Sequence, residues 1–212
     1  MSDLGTLQDY LRFTVTLLAV LDPFLAVPIF LSVTAGRDAA SRTRLVNAVT
    51  VTVFLVLAGA AVFGEGLLRL IGASLPAFQV GGGLVLLLMA LSMLNAEAGQ
   101  IRQTEREAQE LESGTRFGVV PLAVPLLAGP GAISTTIIAA QAGGPAHIGA
   151  IIACIALIAA IEWVILRLAD PVGARLGTTG LNIATRLLGL LLAAIAIEMM
   201  ARGLKILLPG LS

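Results

Sequence analysis

Asp22-Pro23-Phe24-Leu25-Ala26-Val27-Pro28 and Val124-Pro125-Leu126-Leu127-Ala128-Gly129-Pro130 each set two prolines five residues apart inside a long apolar stretch. With an offset of 102, residues 21–34 match residues 123–136 at Pro23/Pro125, Leu25/Leu127, Ala26/Ala128, Pro28/Pro130, Ser32/Ser134 and Thr34/Thr136. A proline within a helix removes one backbone donor and leaves the carbonyl four residues back without its partner, here Ala19 and Phe24, then Pro121 and Leu126. Hydrocarbon cannot satisfy such groups. In a bilayer this backbone persists only where protein buries it or where it lines a polar cavity, so duplicated breaks at mid-depth predict a binding site.

Composition fixes the class. The 212 residues are 58% hydrophobic and 12% charged with a mean hydropathy of +0.98, which describes an integral membrane protein. A net charge of zero gives no footprint for nucleic acid. The single cysteine, Cys154, excludes an intrachain disulfide and a thiolate metal cluster, and the single histidine, His147, sits in a Gly/Pro loop. We therefore expect no metal and no cofactor. The acidic start Met1-Ser2-Asp3 is unlike a secretory signal, so the first helix is expected to be retained.

Six apolar segments have the length of about 20 residues that a membrane-crossing helix needs, over about 12–35, 45–64, 70–94, 117–141, 148–167 and 183–204. They are continuous runs, not the ten-residue alternations of a membrane barrel. Residues 95–116 form the one charged linker and divide the chain into 1–94 and 117–212, with three spans each. The resemblance between halves extends to the third spans. At an offset of 106, Arg69, Gly83, Ala90 and Met93 match Arg175, Gly189, Ala196 and Met199. Because three is odd, the repeats are predicted to be inverted, with discontinuous first and fourth helices. The loops after spans one, three and five hold nine arginines (Arg37, Arg42, Arg44, Arg102, Arg106, Arg116, Arg167, Arg175, Arg186), against Arg12, Arg69, Arg202 and Lys205 on the other side. The positive-inside rule then places both termini outside and the linker in the cytoplasm.

Candidate chemistry follows from polar groups within the spans. Asp22 carries an insertion cost of about 2.5–3.5 kcal/mol near mid-span, which points to a substrate ammonium, a cation or a proton, with helix capping beside Pro23 as the structural alternative. After Pro28 and after Pro130 the chain is expected to restart as a short helix whose unpaired N–H groups and dipole suit a carboxylate. Gly129 and Gly131 would let a ligand approach the second restart, or would mark a packing kink. Gly82 and Gly83 of the Gly81-Gly82-Gly83 run, with Gly189 in the other half, are expected to let a helix, even a half-helix, approach closely, with direct ligand contact by the run as the alternative. Glu162 and Glu198 precede Arg167 and Arg202, and snorkelling at a membrane face is expected of both, with a proton path as the alternative. Arg186 is either an interfacial anchor or part of an inner gate. Cys154, Trp163, Tyr10 and His147 are assigned to structure.

Three motifs in order are familiar: Leu21-Asp22-Pro23-Phe24 with Val27-Pro28-Ile29-Phe30, then Val120-Pro121-Leu122-Ala123-Val124-Pro125-Leu126-Leu127-Ala128-Gly129-Pro130-Gly131, then Thr185-Arg186-Leu187-Leu188-Gly189 continuing to Ala196. From about Thr16 to Leu208 the chain resembles the MarC family of bacterial and archaeal inner-membrane proteins. The resemblance implies six transmembrane helices, with the first and fourth discontinuous around the substrate. It also implies, from SnatA-type members, transport of small neutral amino acids such as glycine and alanine. Where many relatives carry Gly-Asn after Asp-Pro-Phe, this chain has Leu25-Ala26, so that amide is absent.

The expected function is thus a secondary transporter in the inner membrane, coupled to protons or another ion. Asp22, Pro23, Phe24, Leu25, Ala26, Pro28, Ile29, Phe30, Ala128, Gly129, Pro130 and Gly131 would surround the substrate. Asp22, Arg186 and Glu198 are the coupling or gating candidates. An enzyme is disfavoured, since no nucleophile lies beside a base. An exporter or channel for another small polar metabolite, or a non-transporting scaffold, is the alternative. The partners are the small amino acid and the bilayer, not nucleic acid, with a homo-oligomer left open.

Overall fold

The computed structural model describes residues 5–34, 36–95 and 128–211, and these form an all-helical bundle. The expected linker, apart from Asn95, and Pro121, Pro125, Leu126 and Leu127 lie outside the described residues. The helices are α1 (Leu7–Leu21), α2 (Pro23–Val33), α3 (Ala39–Ile71), α4 (Leu75–Leu94), α5 (Pro130–Ala140), α6 (Pro145–Arg167) and α7 (Ala169–Leu207), followed by a 3-10 turn, Pro209–Leu211. Taken together α1 and α2 are long and apolar enough to cross a membrane, as are α3, α4, α6 and α7, while α5 is a shorter apolar helix. Large side chains such as Leu55, Phe63, Leu84, Leu88, Leu157, Leu187 and Ile197 stand exposed around the bundle, as expected where the solvent is hydrocarbon.

Helix ends differ from the apolar runs for local reasons. The first helix, α1, begins at Leu7, before the expected residue 12, because Thr6 and Asp9 form a capping box. In it Thr6 N–H donates to Asp9 Oδ2 at 2.9 Å and Asp9 N–H donates to Thr6 Oγ1 at 3.3 Å. Helix α3 outruns the expected span 45–64 at both ends, since Ser41, Arg42 and Arg44 before it and the Glu65–Arg69 pair after it favour helix without being apolar. The last helix, α7, is interrupted at Gly177 (φ 60°, ψ −178°), a backbone region that is essentially reserved to glycine.

In lipid, helices associate through close packing more than through apolar burial, and α4 against α7 illustrates it. A Cβ on Gly83 would lie 2.9 Å from the Ala196 carbonyl oxygen and would run into Met200 Cγ. One on Gly189 would lie 3.2 Å from the Ala90 carbonyl oxygen and 2.8 Å from Met93 Cβ, and one on Gly203 would lie 2.6 Å from the Pro76 carbonyl oxygen. As residue numbers rise along α4 they fall along its partner, so the two helices run antiparallel. Gly82 faces Ser134 of α5 instead, with 3.0 Å to its Cβ, so close approach to a short helix is also realised.

Side-chain links close the two ends of the bundle. At the end where α1 begins and α7 finishes, the Tyr10 hydroxyl and His147 Nδ1 are 2.9 Å apart, and His147 Nε2 is 2.9 Å from the Ala139 carbonyl oxygen. With Nε2–H donating to that carbonyl, Nδ1 accepts from Tyr10, whose oxygen accepts the Gly5 N–H at 3.0 Å. At the opposite end Arg42 pairs with Asp170 at 2.9 Å and lies over the Phe30 ring, 5.7 Å from its centroid, close enough for a cation–π contact. Trp163 donates to Asn47 Oδ1 at 2.8 Å, joining α6 to α3.

Candidate functional site

Pro23 decides where the first span breaks. Its ring disfavours right-handed helix at the preceding residue, and Asp22 turns to the left-handed region (φ 44°, ψ 72°), which aspartate tolerates better than most residues. Among the described residues it is the only non-glycine with positive φ. Asp22 then serves two helices. Its N–H donates to the Leu18 carbonyl at 3.1 Å, ending α1, and its own carbonyl accepts from Leu25 at 3.1 Å and from Ala26 at 3.3 Å, opening α2. Its Oδ1 also accepts the Leu25 N–H at 3.3 Å, in the manner of an N-cap. The Thr185 hydroxyl of α7 approaches the same oxygen at 3.5 Å, a long and weak donor contact. The carboxyl group is fully buried.

The expected restart after Pro28 is corrected: Pro28 lies inside α2, and the restart is at Pro23. Left-handed Asp22 absorbs the whole turn, so Pro28 removes only the donor for the Phe24 carbonyl without ending the helix. Ile29 and Phe30 are therefore inside a helix and do not form its N-terminus. Phe24, Leu25 and Ile29 pack against the core, while Ala26, Val27 and Phe30 are part of it.

Helix α5 begins where the pattern put the second restart. Pro130 is the first residue of α5 and Gly129 its N-cap, without a capping side chain, the usual place for a proline at a helix start. The first helical bond runs from Ile133 N–H to the Gly129 carbonyl at 3.1 Å, so the Gly131 and Ala132 N–H groups precede it. Gly129 has φ −67°, a conformation open to any residue. Gly131 is a packing position, because a Cβ there would meet Met89 Sδ at 2.7 Å, Leu86 Cδ2 at 2.9 Å and Val20 Cγ1 at 3.5 Å. Contact with Val20, two residues before Asp22, sets the start of α5 beside the end of α1. Ala128 and Gly129 are buried, whereas Pro28 and Pro130 are exposed.

Two cavities flank the Asp22 break. One of about 550 Å³ opens at the terminal end and is lined by Phe13 and Thr16 of α1, Thr135 of α5 and Glu198 of α7. The other, of about 300 Å³, lies at the opposite end against Phe30, Arg42, Leu166 and Asp170. Between them Leu17, Val20 and Leu21 on one side of Asp22, and Ala26, Val27 and Phe30 on the other, are almost entirely buried.

Of the remaining candidates, Glu198 is exposed and pairs with Arg202 one turn on, as snorkelling predicts. Glu162 departs from that expectation: it is 1% exposed. Five residues advance a helix by about 500°, so Glu162 and Arg167 occupy different faces. Glu162 falls on the buried stripe of Ile155, Ile158, Ala159 and Leu166, while Arg167 stacks over Trp163 at 4.9 Å. Arg186 is exposed on α7 and makes no ion pair among the described residues. The charged closure at the junction end is Arg42 with Asp170. Thr185, which the sequence offered only as the neighbour of Arg186, is the buried hydroxyl that reaches Asp22.

The MarC family integral membrane protein description matches residues 7–208. The UPF0056 membrane protein YhcE of Escherichia coli (strain K12) is 35% identical over 203 residues, covering 95% of this chain and 94% of that protein. YvbG of Bacillus subtilis (strain 168), another UPF0056 membrane protein, is 33% identical over 93% of this chain and 95% of its own length. A UPF0056 membrane protein of Methanocaldococcus jannaschii is 34% identical over 94% of this chain and 97% of that protein. No solved structure matches the chain. With a match that runs from the first turn of α1 to the end of α7, the chain belongs to the MarC family of integral membrane proteins.

Proposed function

We propose that this protein is a secondary transporter of small neutral amino acids that works by alternating access. The observation that carries the reading is Asp22, a fully buried acid at the break of a membrane span, sealed between cavities that open toward opposite ends of the bundle. An acid at that depth is costly to place in a membrane, and such acids mark the paths of ions, protons or substrates. Asp22 receives the substrate ammonium or the coupling proton, with Thr185 orienting its Oδ1. The uncapped N–H groups at the start of α5 receive the substrate carboxylate. Glu162, a second buried acid, is the candidate for a proton path through α6.

The same reading takes the halves 1–94 and 117–212 as an inverted repeat. With the offset of 106, Gly83 corresponds to Gly189 and Ala90 to Ala196, and the close approaches are reciprocal: Gly83 on the Ala196 carbonyl, Gly189 on the Ala90 carbonyl. Reciprocal pairing of this kind is what a two-fold relation between the halves would produce, and it supports that reading. The arginine distribution orients the protein in the inner membrane with both termini outside.

The test is uptake of labelled glycine, alanine and serine by proteoliposomes. Accumulation driven by a proton or sodium gradient is the expected result. Flux without accumulation would assign a channel instead, and no flux of any of the three would remove the amino acid reading.

A further inference from the structure

The cavity at the terminal end has the chemistry of a binding site in its own right. We propose that it is an outer vestibule site that captures a zwitterionic amino acid before transfer to the break at Asp22, an inference that rests on the transporter reading. Its volume is about 550 Å³, within the span of roughly 300 to roughly 1000 Å³ typical of small-molecule sites. Charges of both signs line it. Arg202 is engaged by Glu198. Arg12, whose guanidinium attracts the Asp9 and Glu198 carboxylates from a distance, has no ion-pair partner in contact among the described residues. That leaves one cation with its donors open to a ligand.

Two further polar groups in the cavity wall lack partners among the described residues. The Thr135 hydroxyl is on a residue only 5% exposed and makes no hydrogen bond among the described residues, and the buried Gln79 Oε1 accepts none there. A buried polar group without a partner is destabilising by about 1–3 kcal/mol, so both favour a polar occupant. The complement is specific in sign. Arg12 donates to a carboxylate, and Gln79 Oε1 with Glu198 accepts from an ammonium. A phospholipid headgroup fits less well, because Glu198 repels its phosphate. The cavity is roomy and its other walls, such as Ile195 and Met199, are apolar, so selectivity for the amino acid side chain is low.

Equilibrium dialysis of the purified full chain in detergent against labelled alanine tests the site. The wild type is expected to bind two molecules per chain. Arg12→Gln should weaken one of them at least tenfold, Arg12→Lys should retain most of it, and Thr135→Val should weaken it a few-fold. Asp22→Asn should remove the other. Arg12 is exposed and pairs with nothing among the described residues, so unchanged melting of its variants is expected. One bound alanine that Asp22→Asn abolishes and Arg12→Gln ignores would overturn the vestibule and leave the transporter reading standing. One that Arg12→Gln abolishes and Asp22→Asn ignores would support the vestibule and overturn the role of Asp22. Displacement of the Arg12-dependent alanine by phosphatidylglycerol at equal concentration, or no binding at all, would overturn the proposal.

Discussion

Substitutions at Asp22 separate its structural from its transport role. Asparagine keeps the Oδ1 acceptor for Leu25 and Thr185 and tolerates the left-handed backbone, so Asp22→Asn should alter stability by less than about 1 kcal/mol. Alanine loses the cap, about 1 kcal/mol, and is strained in the left-handed region, about 1–2 kcal/mol more, for roughly 2–3 kcal/mol in total. Glycine adopts the left-handed backbone freely and replaces a cap residue at a cost of only about 0.3 kcal/mol. At about 2–4 °C per kcal/mol for a chain of this size, the alanine variant should melt roughly 4–12 °C lower and the glycine variant about 1 °C lower. The single, partly buried Cys154 supplies the assay: a maleimide dye reports its exposure on heating, with no second thiol to interfere. Uptake measured in parallel should be lost in all three variants, including the stable asparagine. Normal coupled uptake by Asp22→Asn would refute the functional assignment. An alanine variant that melts with the wild type would refute the account of the break.

Other substitutions test the packing and the closures. Gly83→Ala places a methyl against the Ala196 backbone and should cost about 1–3 kcal/mol, as should Gly189→Ala against Ala90, whereas Gly81→Ala meets open space inside a helix and should melt no lower than the wild type, with a gain of up to about 1 kcal/mol. Gly131→Ala strikes the flexible ends of Met89 and Leu86, so a smaller loss than at Gly83 is expected in the same melting assay. His147→Ala removes the link among Tyr10, His147 and Ala139 and should lower stability by about 1–3 kcal/mol, read as a lower melting temperature. Arg42→Ala breaks an ion pair with half-open partners, worth at most about 1 kcal/mol. Its effect should appear instead as faster labelling of a cysteine placed at Val46, beside the junction-end cavity, in a Cys154→Ala background; unchanged labelling would show that the pair closes nothing.

Much of this architecture was legible from proline, glycine and charge. A break within Asp22–Pro28, the helix start at Pro130 and the close approach at Gly82, Gly83 and Gly189 follow from backbone rules that hold whatever the surroundings. What stayed hidden depends on rotation about a helix axis and on partners distant in sequence. Pro28 reads like Pro130, yet a left-handed residue six positions earlier takes up the turn. Glu162 and Glu198 look alike as acids ahead of an arginine, but one advances five residues to its arginine and the other four, and only four returns to the same face. Thr185 reaches Asp22 across 163 positions, Arg42 reaches Asp170 across another pair of helices, and no local signal announces either contact. The Thr6–Asp9 box, by contrast, is a local signal in plain view that an emphasis on apolar runs passes over.

The left-handed aspartate has a mechanical consequence. The ladder of α1 closes at Leu18–Asp22 and that of α2 opens at Asp22–Leu25, so the two torsions of one residue set the angle between the two helices. Val27 and Phe30, buried in the core just past the break, resist a change of that angle, and enlarging or trimming those side chains is a means to slow or speed the motion without touching the acid itself.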